Sequence, residues 1–156
     1  MNNNKITICI DARCLNGKTT GINRYLYENL KVLINENNFN YILISNKKIY
    51  FDSLNYKNVL LIEELKFSFI PGTIWLNIRL KKLIKRFKCN IFWGPEHILP
   101  FFKIKSIKYI LTIHDLVHKI LPLSMNNYNL IISKIFFKKS IINADYIICV
   151  SKTTKK

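Results

Sequence analysis

Acidic residues are scarce in this 156-residue chain, which has 9 Asp and Glu against 25 Lys and Arg and a formal net charge of +16. A surplus this large favours an anionic partner: nucleic acid, an acidic membrane surface or a phosphorylated small molecule. Most of the positive charge is Lys, and the chain is also rich in Ile and Asn. AT-rich coding produces this combination without selection for binding, so the charge alone does not choose among these partners.

The sequence also lacks the cysteine pattern of a metal or redox site. Its four cysteines, Cys9, Cys14, Cys89 and Cys149, form no C-x-x-C pair and no Cys/His cluster at metal-ligand spacing. This excludes a recognisable zinc or dithiol motif and favours a reduced, cytosolic protein. Cys9 and Cys149 lie in apolar runs, where cysteine usually acts as a small hydrophobic residue.

Long apolar runs are missing as well. The apolar part of the first segment, MNNNKITICIDARC, is too short for a signal peptide. The longest uncharged stretch, FSFIPGTIWLNI, is too short to span a bilayer and is interrupted by Pro-Gly. We therefore expect a cytoplasmic protein that is soluble or bound peripherally at the inner face of the membrane.

Short β-branched runs alternate with longer amphipathic ones, and this alternation predicts βαβ units around a parallel sheet. With 49% hydrophobic residues, the length fits one domain with its own core. The predicted strands are KITICI, YILISN, NVLLIEE, CNIFW, IKYILTI and DYIICVS, and the predicted helices are GINRYLYENLKVLINE, PGTIWLNIRLKKLIKRFK and residues 127–143. The expected fold class is a Rossmann-like, three-layer α/β domain with a mostly parallel sheet.

The last predicted strand is followed only by SKTTKK, where Ser151 would cap a helix that has no room to form. A β/α chain normally covers its last strand with a helix. We therefore expect residues 1–156 to be one domain that is truncated near its C-terminal edge.

Residues 12–19, ARCLNGKT, differ from the phosphate-binding pattern G-x-x-x-x-G-K-[ST] only by Ala12. Two features oppose a nucleoside-triphosphate loop: Asp11 would place a carboxylate beside the phosphates, and Gly21 interrupts the helix that should start at Lys-Thr. A second interpretation is that residues 19–21 open a helix whose free backbone N–H groups attract an anion. An ordinary β-to-α loop explains the segment equally well.

Two histidines follow predicted strands directly: His97 after IFWGPE and His114 after YILTI. Because parallel strands end at one edge of a sheet, both histidines should lie on the edge where the first helix starts. Each alone is more typical of a cap or a packing residue, but their joint placement favours a site.

Three polar residues lie close to these histidines in the sequence. Asp115 either orients His114 or caps the next segment, and His118 is expected to be a loop residue. Glu96, one of only 9 acidic residues, is a candidate contact for a hydroxyl-rich ligand.

The segments ICIDAR, TTGINRYLYENL, IFWGPEHILP, YILTIHDLVHKILP and ADYIICVS, in this order, resemble the N-terminal half of glycosyltransferase family 4, the group 1 glycosyltransferases, and especially its mannosyltransferase-like branch. The resemblance covers nearly the whole chain. It implies one half of a GT-B fold, in which two Rossmann-like domains face a cleft. Members transfer a sugar from a nucleotide sugar with retention, without a metal or other cofactor.

In this family the first domain mainly holds the acceptor. The second binds the nucleotide sugar and carries a pair of glutamates that this chain lacks. The resemblance therefore implies that the chain is the N-terminal fragment of a retaining glycosyltransferase in cell-surface polysaccharide synthesis. We expect it to be inactive without a separate C-terminal donor domain. Its expected substrates are a nucleotide sugar and a glycan or lipid-linked acceptor.

The resemblance also assigns residue roles. Gly21 matches the glycine that lies against the donor diphosphate, Thr20 precedes it, and Asn23 replaces the family's usual second glycine. His114 matches the histidine beside the donor sugar and is the expected catalytic residue.

Glu96 and His97 match the segment that lines the acceptor side, and Asp115 is assigned to the same side. No metal site is expected.

The rival prediction is a basic binding module without catalysis. Residues 75–88 form a helix with six positive charges beside a Leu/Ile/Phe face, which could lie on an anionic membrane or on nucleic acid. No nucleic-acid-binding fold signature is present, so a nucleic-acid partner is not expected. A core-facing helix with a solvated basic side explains the same pattern.

Overall fold

A computed structural model of the chain describes residues 5–18, 20–36, 38–52, 56–114 and 127–155. Within them the strands are β1 (Thr7–Asp11), β2 (Asn40–Ser45), β3 (Val59–Glu63), β4 (Ile91–Gly94), β5 (Lys108–Ile113) and β6 (Tyr146–Cys149). The helices are α1 (Gly21–Asn35), α2 (Gly72–Phe87), α3 (Asn127–Asn143) and the short α4 (Lys152–Lys155), and a 3₁₀ turn over Leu65–Phe67 precedes α2.

The six strands form one sheet in the order β3-β2-β1-β4-β5-β6, and every pairing is parallel. β1 is central: Ile10 is in register with Leu43 of β2 on one side and with Trp93 of β4 on the other. This arrangement confirms the predicted Rossmann-like α/β fold with a mostly parallel sheet.

Side chains alternate between the two faces of the sheet, and each face has its own hydrophobic core. Cys9, Ile42 and Phe92 belong to one core. Their neighbours Ile10 and Leu43 belong to the other. A parallel sheet is normally covered on both faces, which is why its strands contain few polar residues.

Helix α1 covers one face and helix α2 the other. Thr20 caps α1, since its hydroxyl accepts a hydrogen bond from the Asn23 N–H at 3.1 Å. The buried side of α1 consists of Leu26, Leu30 and Ile34. The buried side of α2 includes Leu76, Leu80, Leu83 and Ile84, as its sequence pattern predicts. Each fully buried side chain of this size contributes about 1.5–3 kcal/mol to stability. Because one helix covers each face of the sheet, the helices and the sheet form three layers.

The chain after β6 differs from the expectation. One helical turn, α4, does form, and Ser151 Oγ accepts from the Thr154 N–H at 3.1 Å, so the prediction of no helix there was wrong. Thr154 Oγ1 in turn donates to the His114 carbonyl at 3.2 Å, which ties this turn to the end of β5. Across the described residues, none of the helices has the length and apolar content needed to cross a membrane.

From β1 the chain adds strands first on one side of the sheet and then, from β4 onward, on the other side, so the sheet has a topological switch point between β1 and β4. β1 connects through α1 to β2 on one side, whereas β3 connects through α2 to β4 on the other side. In open parallel sheets, ligands bind in the crevice outside the carboxyl ends of the strands at such a switch point. The residues that follow Asp11 of β1 and Gly94 of β4 line this crevice.

Candidate functional site

A buried ion pair lies at the β1 side of the switch point. Asp11 is fully buried, and it accepts from Arg13 through Nε at 2.7 Å and through Nη2 at 2.5 Å. Burial alone would lower the pKa of Arg13, but the adjacent Asp11 raises it by more, so the guanidinium stays charged. The first residue of α2, Gly72, packs on this guanidinium: a Cβ there would lie 2.6 Å from Arg13 Nη1.

Glu96 faces this ion pair from the β4 side. Burial raises its pKa to about 6, and the negative charge of Asp11 adds to the increase, whereas Arg13 and the Cys14 thiol oppose it. Burial also raises the pKa of Cys14, and the neighbouring Glu96 adds to that effect, so the thiol stays protonated. The switch point therefore carries two carboxyl groups for one guanidinium, and burial makes Glu96 harder to ionise than an exposed glutamate.

A sharp turn after β4 positions Glu96 and His97. Gly94 is required for it, because a Cβ on Gly94 would lie 2.5 Å from the Ile98 carbonyl oxygen. His97 has a φ of 62°, in the left-handed region that costs a non-glycine residue about 1–2 kcal/mol. Its N–H donates to the Thr112 carbonyl of β5 at 3.2 Å, which holds the turn across the neighbouring strand.

His114, at the end of β5, meets His97 at the same edge. Their ring centroids are 5.3 Å apart. A third ring, that of Tyr25 on α1, makes an edge-to-face contact with His114 at a centroid distance of 4.8 Å. His114 Nε2 lies 2.8 Å from the Pro95 carbonyl oxygen. Because a carbonyl only accepts, Nε2 carries a proton, and in the neutral ring Nδ1 is the acceptor.

The start of α1 completes the edge. Gly21 is its first residue, and a Cβ there would meet no atom within 4 Å, so the fold itself does not require glycine at this position. Asn23 faces inward instead, since its Nδ2 donates to the Cys14 carbonyl at 3.0 Å. That bond fixes the β1–α1 loop against the helix that follows it.

The nucleoside-triphosphate loop interpretation finds no support in the local geometry. α1 begins at Gly21, three residues after Lys18, so the lysine does not open the helix. Gly17, with a φ of 85°, packs against the Tyr50 ring, and Lys18 is exposed.

Most of the residues predicted from the sequence lie at this one edge. Thr20, Gly21 and Asn23 begin α1, and Glu96, His97 and His114 follow the ends of β4 and β5. Asp115, Thr19 and His118 lie outside the described residues. The sequence interpretation missed Arg13, Cys14 and Tyr25, and it treated Asp11 only as an obstacle to phosphate.

The arrangement offers a particular set of interactions. A carboxyl group and two imidazoles can exchange hydrogen bonds with hydroxyl groups, and the first turn of a long helix favours an anion. The described residues contain no group of three or more His, Cys, Asp or Glu side chains placed to hold a metal ion.

Comparison with known proteins gives one structural similarity. No protein-family model and no curated protein matches the chain. Among solved structures, it is similar to an alpha-glucosyltransferase in complex with UDP and a 13-mer DNA containing an HMU base, with 19% sequence identity and a TM-score of 0.46. The similarity covers 93% of this chain and 38% of that chain, so this chain spans well under half of the glucosyltransferase's length.

Proposed function

We propose that this chain is the acceptor-side half of a retaining glycosyltransferase of the family 4 type, with a GT-B architecture. The observation that carries the proposal is the meeting of His97 and His114, with ring centroids 5.3 Å apart, at the switch point beside α1. The order of sequence motifs across the chain supports the same assignment. The substrates are a nucleotide sugar, with a mannose-like sugar, and a glycan or lipid-linked acceptor of cell-surface polysaccharide synthesis.

The start of α1 is proposed to lie against the donor diphosphate. Its N-terminal N–H groups and the helix dipole favour an anion. The open space in front of Gly21 supports this role, because the absence of a side chain there serves no contact within the described chain. Thr20 holds the first turn in place through its cap, and Asn23 fixes the loop through Cys14.

His114 is proposed to position the donor sugar and its leaving group. The bond from Nε2 to the Pro95 carbonyl fixes the ring and its tautomer, which leaves Nδ1 to accept from a sugar hydroxyl. A group held in this way gains its effect from orientation and from preorganised electrostatics rather than from covalent chemistry. Protonation at Nδ1 would add a positive charge that stabilises the departing diphosphate.

Glu96 and His97 are proposed to bind the acceptor, with Asp115 on the same side. A carboxyl group accepts hydrogen bonds when ionised and also donates one when protonated, and both forms of Glu96 are populated around its pKa of about 6. Both forms suit a hydroxyl-rich ligand. Asp11 and Arg13 act on this group through their charges, Asp11 disfavouring its ionised form and Arg13 favouring it, and they are positioning residues in this scheme.

Transfer in this scheme needs a second, donor-binding domain, because in the family that domain binds the nucleotide sugar and carries the glutamate pair. No metal is required for it. Supplied with such a domain by fusion or co-expression, the chain should transfer sugar from a nucleotide sugar to a polyprenyl-linked or soluble glycan acceptor.

The test is a transfer assay with radiolabelled nucleotide sugars, run on the chain alone, on the donor domain alone and on the pair. Transfer by the pair only is the expected result. Robust transfer by the chain alone would contradict the division of labour, and no transfer by any matched pair and donor sugar would contradict the proposed activity.

A further inference from the structure

Strand β6 forms one edge of the sheet. Among the described residues it pairs only with β5, whereas each inner strand has a neighbour on both sides. An edge strand presents a row of unpaired backbone N–H and C=O groups, which is a template for pairing with a strand of another chain. Proteins usually protect such an edge with charged side chains, prolines or a covering segment.

The edge at β6 lacks charged residues and proline. Residues 146–150, which we call the β6 edge, contain neither, although the chain carries a net charge of +16. Four of its apolar residues are between 40% and 62% exposed: Tyr146, Ile147, Ile148 and Val150. The opposite edge differs, because the apolar residues of β3 are half-buried and that strand ends in Glu63. Of the two edges, β6 is therefore the one suited to contact with another strand.

The exposed side chains of the β6 edge lie on both faces of the sheet. Ile147 is in register with Leu111 of β5, and Ile148 is in register with Thr112. Residues in register on parallel strands point to the same face, so the side chains of Ile147 and Ile148 point to opposite faces. A helix docked on one face would cover only half of this apolar surface. A strand added at the edge continues both faces.

We propose that the β6 edge pairs with the β6 edge of a second copy of this chain, antiparallel and about a two-fold axis, so that one sheet runs through both copies. Two-fold dimers are the commonest homo-oligomers, and the same patch then serves on both copies. A two-fold axis relates neighbouring antiparallel strands only when it is perpendicular to the sheet. Each residue therefore lies opposite a residue that points to the same face.

Ile148 is the midpoint of the β6 edge and lies on this axis, opposite Ile148 of the second copy. Tyr146 then lies opposite Val150, and Ile147 opposite Cys149, so every pair is apolar. A pair of an aromatic and a β-branched residue contributes roughly 0.2–1 kcal/mol across strands. The Val150 N–H donates inward to the Ile113 carbonyl at 3.1 Å. Because backbone groups alternate in direction along a strand, Ile147 and Cys149 turn theirs outward, to the second copy.

Charge gives this pairing a distinctive salt dependence. Each copy carries a net charge of +16, so two copies meet most easily at an uncharged surface such as the β6 edge. The remaining repulsion is screened within about 10 Å at 0.1 M salt. Self-association should therefore strengthen as salt rises, whereas binding to a polyanion weakens. The proposal goes beyond sugar transfer, and its test uses no sugar, so the two proposals fail separately.

Sedimentation velocity on the full chain, over a concentration series in about 0.1 M and about 0.5 M salt, tests the proposal. A pairing of one short strand is at the small end of specific interfaces, so we expect a dimer with a Kd of about 10–100 µM. Ile148→Lys and Ile148→Glu each place like charges opposite one another, and each should weaken dimerisation at least about tenfold. Val32→Lys, at an exposed apolar residue of α1, adds the same charge as Ile148→Lys and should have little effect.

A mixture of the Ile148→Lys and Ile148→Glu variants should form the dimer again, because unlike charges then face each other on the axis. This rescue separates a lost interface from a damaged fold, and circular dichroism confirms that each variant is folded.

Four results would overturn the proposal. The first is a monomer at every concentration and in both salts. The second is dimerisation of Ile148→Lys equal to that of the wild type, which would place the interface elsewhere. The third is no rescue in the mixture, since residue 148 would then not face its own counterpart. The fourth is a monomeric chain that binds a separate donor-binding domain and loses that binding in Ile148→Lys, which would assign the edge to that domain.

Discussion

At the scale of single residues, the carboxyl group of Glu96 is held in an environment that disfavours its charge. Burial and the negative charge of Asp11 raise its pKa from 4.5 to about 6. A carboxyl group whose pKa is raised by folding loses its proton at a lower pH in the unfolded chain than in the folded protein. Folding stability therefore falls as pH rises through the window from 4.5 to about 6, and the loss is complete above it.

Glu96→Gln should remove this loss. The free energy of unfolding of the variant minus that of the wild type should be about 2 kcal/mol larger above pH 6 than below pH 4.5. Urea unfolding across this range measures the difference. A constant difference between the two proteins at all pH values would contradict the raised pKa.

Gly72 tests the second buried feature, the Arg13–Asp11 pair. In Gly72→Ala the new methyl group would lie 2.6 Å from Arg13 Nη1 and 3.0 Å from Arg13 Cδ, so the Arg13 side chain must shift against its contact with Asp11. Overpacking of this kind costs about 1–3 kcal/mol.

Gly21→Ala is the matched control, because Gly21 is also the first residue of a helix but has open space around it. Thermal unfolding of both variants makes the comparison. Equal stability of the two would show that Arg13 is not held as described.

Single residues at strand ends could be found from the sequence, and buried partnerships could not. His97 and His114 follow short apolar runs, so the strand-end rule identified both. Asp11 and Arg13 are two residues apart, but Glu96 approaches this pair from β4 across a long sequence separation, and no local pattern encodes that approach. The contact of Tyr25 with His114 could not be predicted either, because Tyr25 is one of several partly exposed residues of an amphipathic helix.

At the scale of secondary-structure elements, the start of α1 is the feature with a functional consequence. In Gly21→Ala the helix should be as stable as before or more so, because alanine favours helices by up to about 1 kcal/mol over glycine. Sugar transfer by the reconstituted pair should nevertheless fall, mainly through a higher KM for the nucleotide sugar. Unchanged KM and kcat in a variant of unchanged stability would remove Gly21 from the donor site.

The buried sides of the helices were predictable from periodicity, because Leu and Ile at helical spacing have one core to face. The exposed side of α2 is less polar than its charges suggest. Ile74 and Ile78 are 51% and 62% exposed because they lie outside the Leu/Ile face that packs on the core. Arg79 was grouped with the solvated basic residues, but it is paired with Glu64 at 2.5 Å.

At the scale of the whole molecule, alternation of strands and helices predicts a parallel sheet but does not give its order. The switch point follows from the order, and it explains why the loops after β1, β4 and β5 belong together. The loops after β1, β4 and β5 thus meet at one edge of the sheet because all of these strands run in the same direction. The assignment of that edge to sugar transfer remains the central claim.

Kinetics of the His114→Ala variant test this claim most directly. In the chain paired with a donor domain, contacts that strengthen only as the glycosyl group takes on charge lower the barrier without changing ground-state binding. We predict that His114→Ala lowers kcat by about 10²-fold with little change in KM for the nucleotide sugar. A His114→Ala variant with wild-type kcat in an active pair would contradict the account.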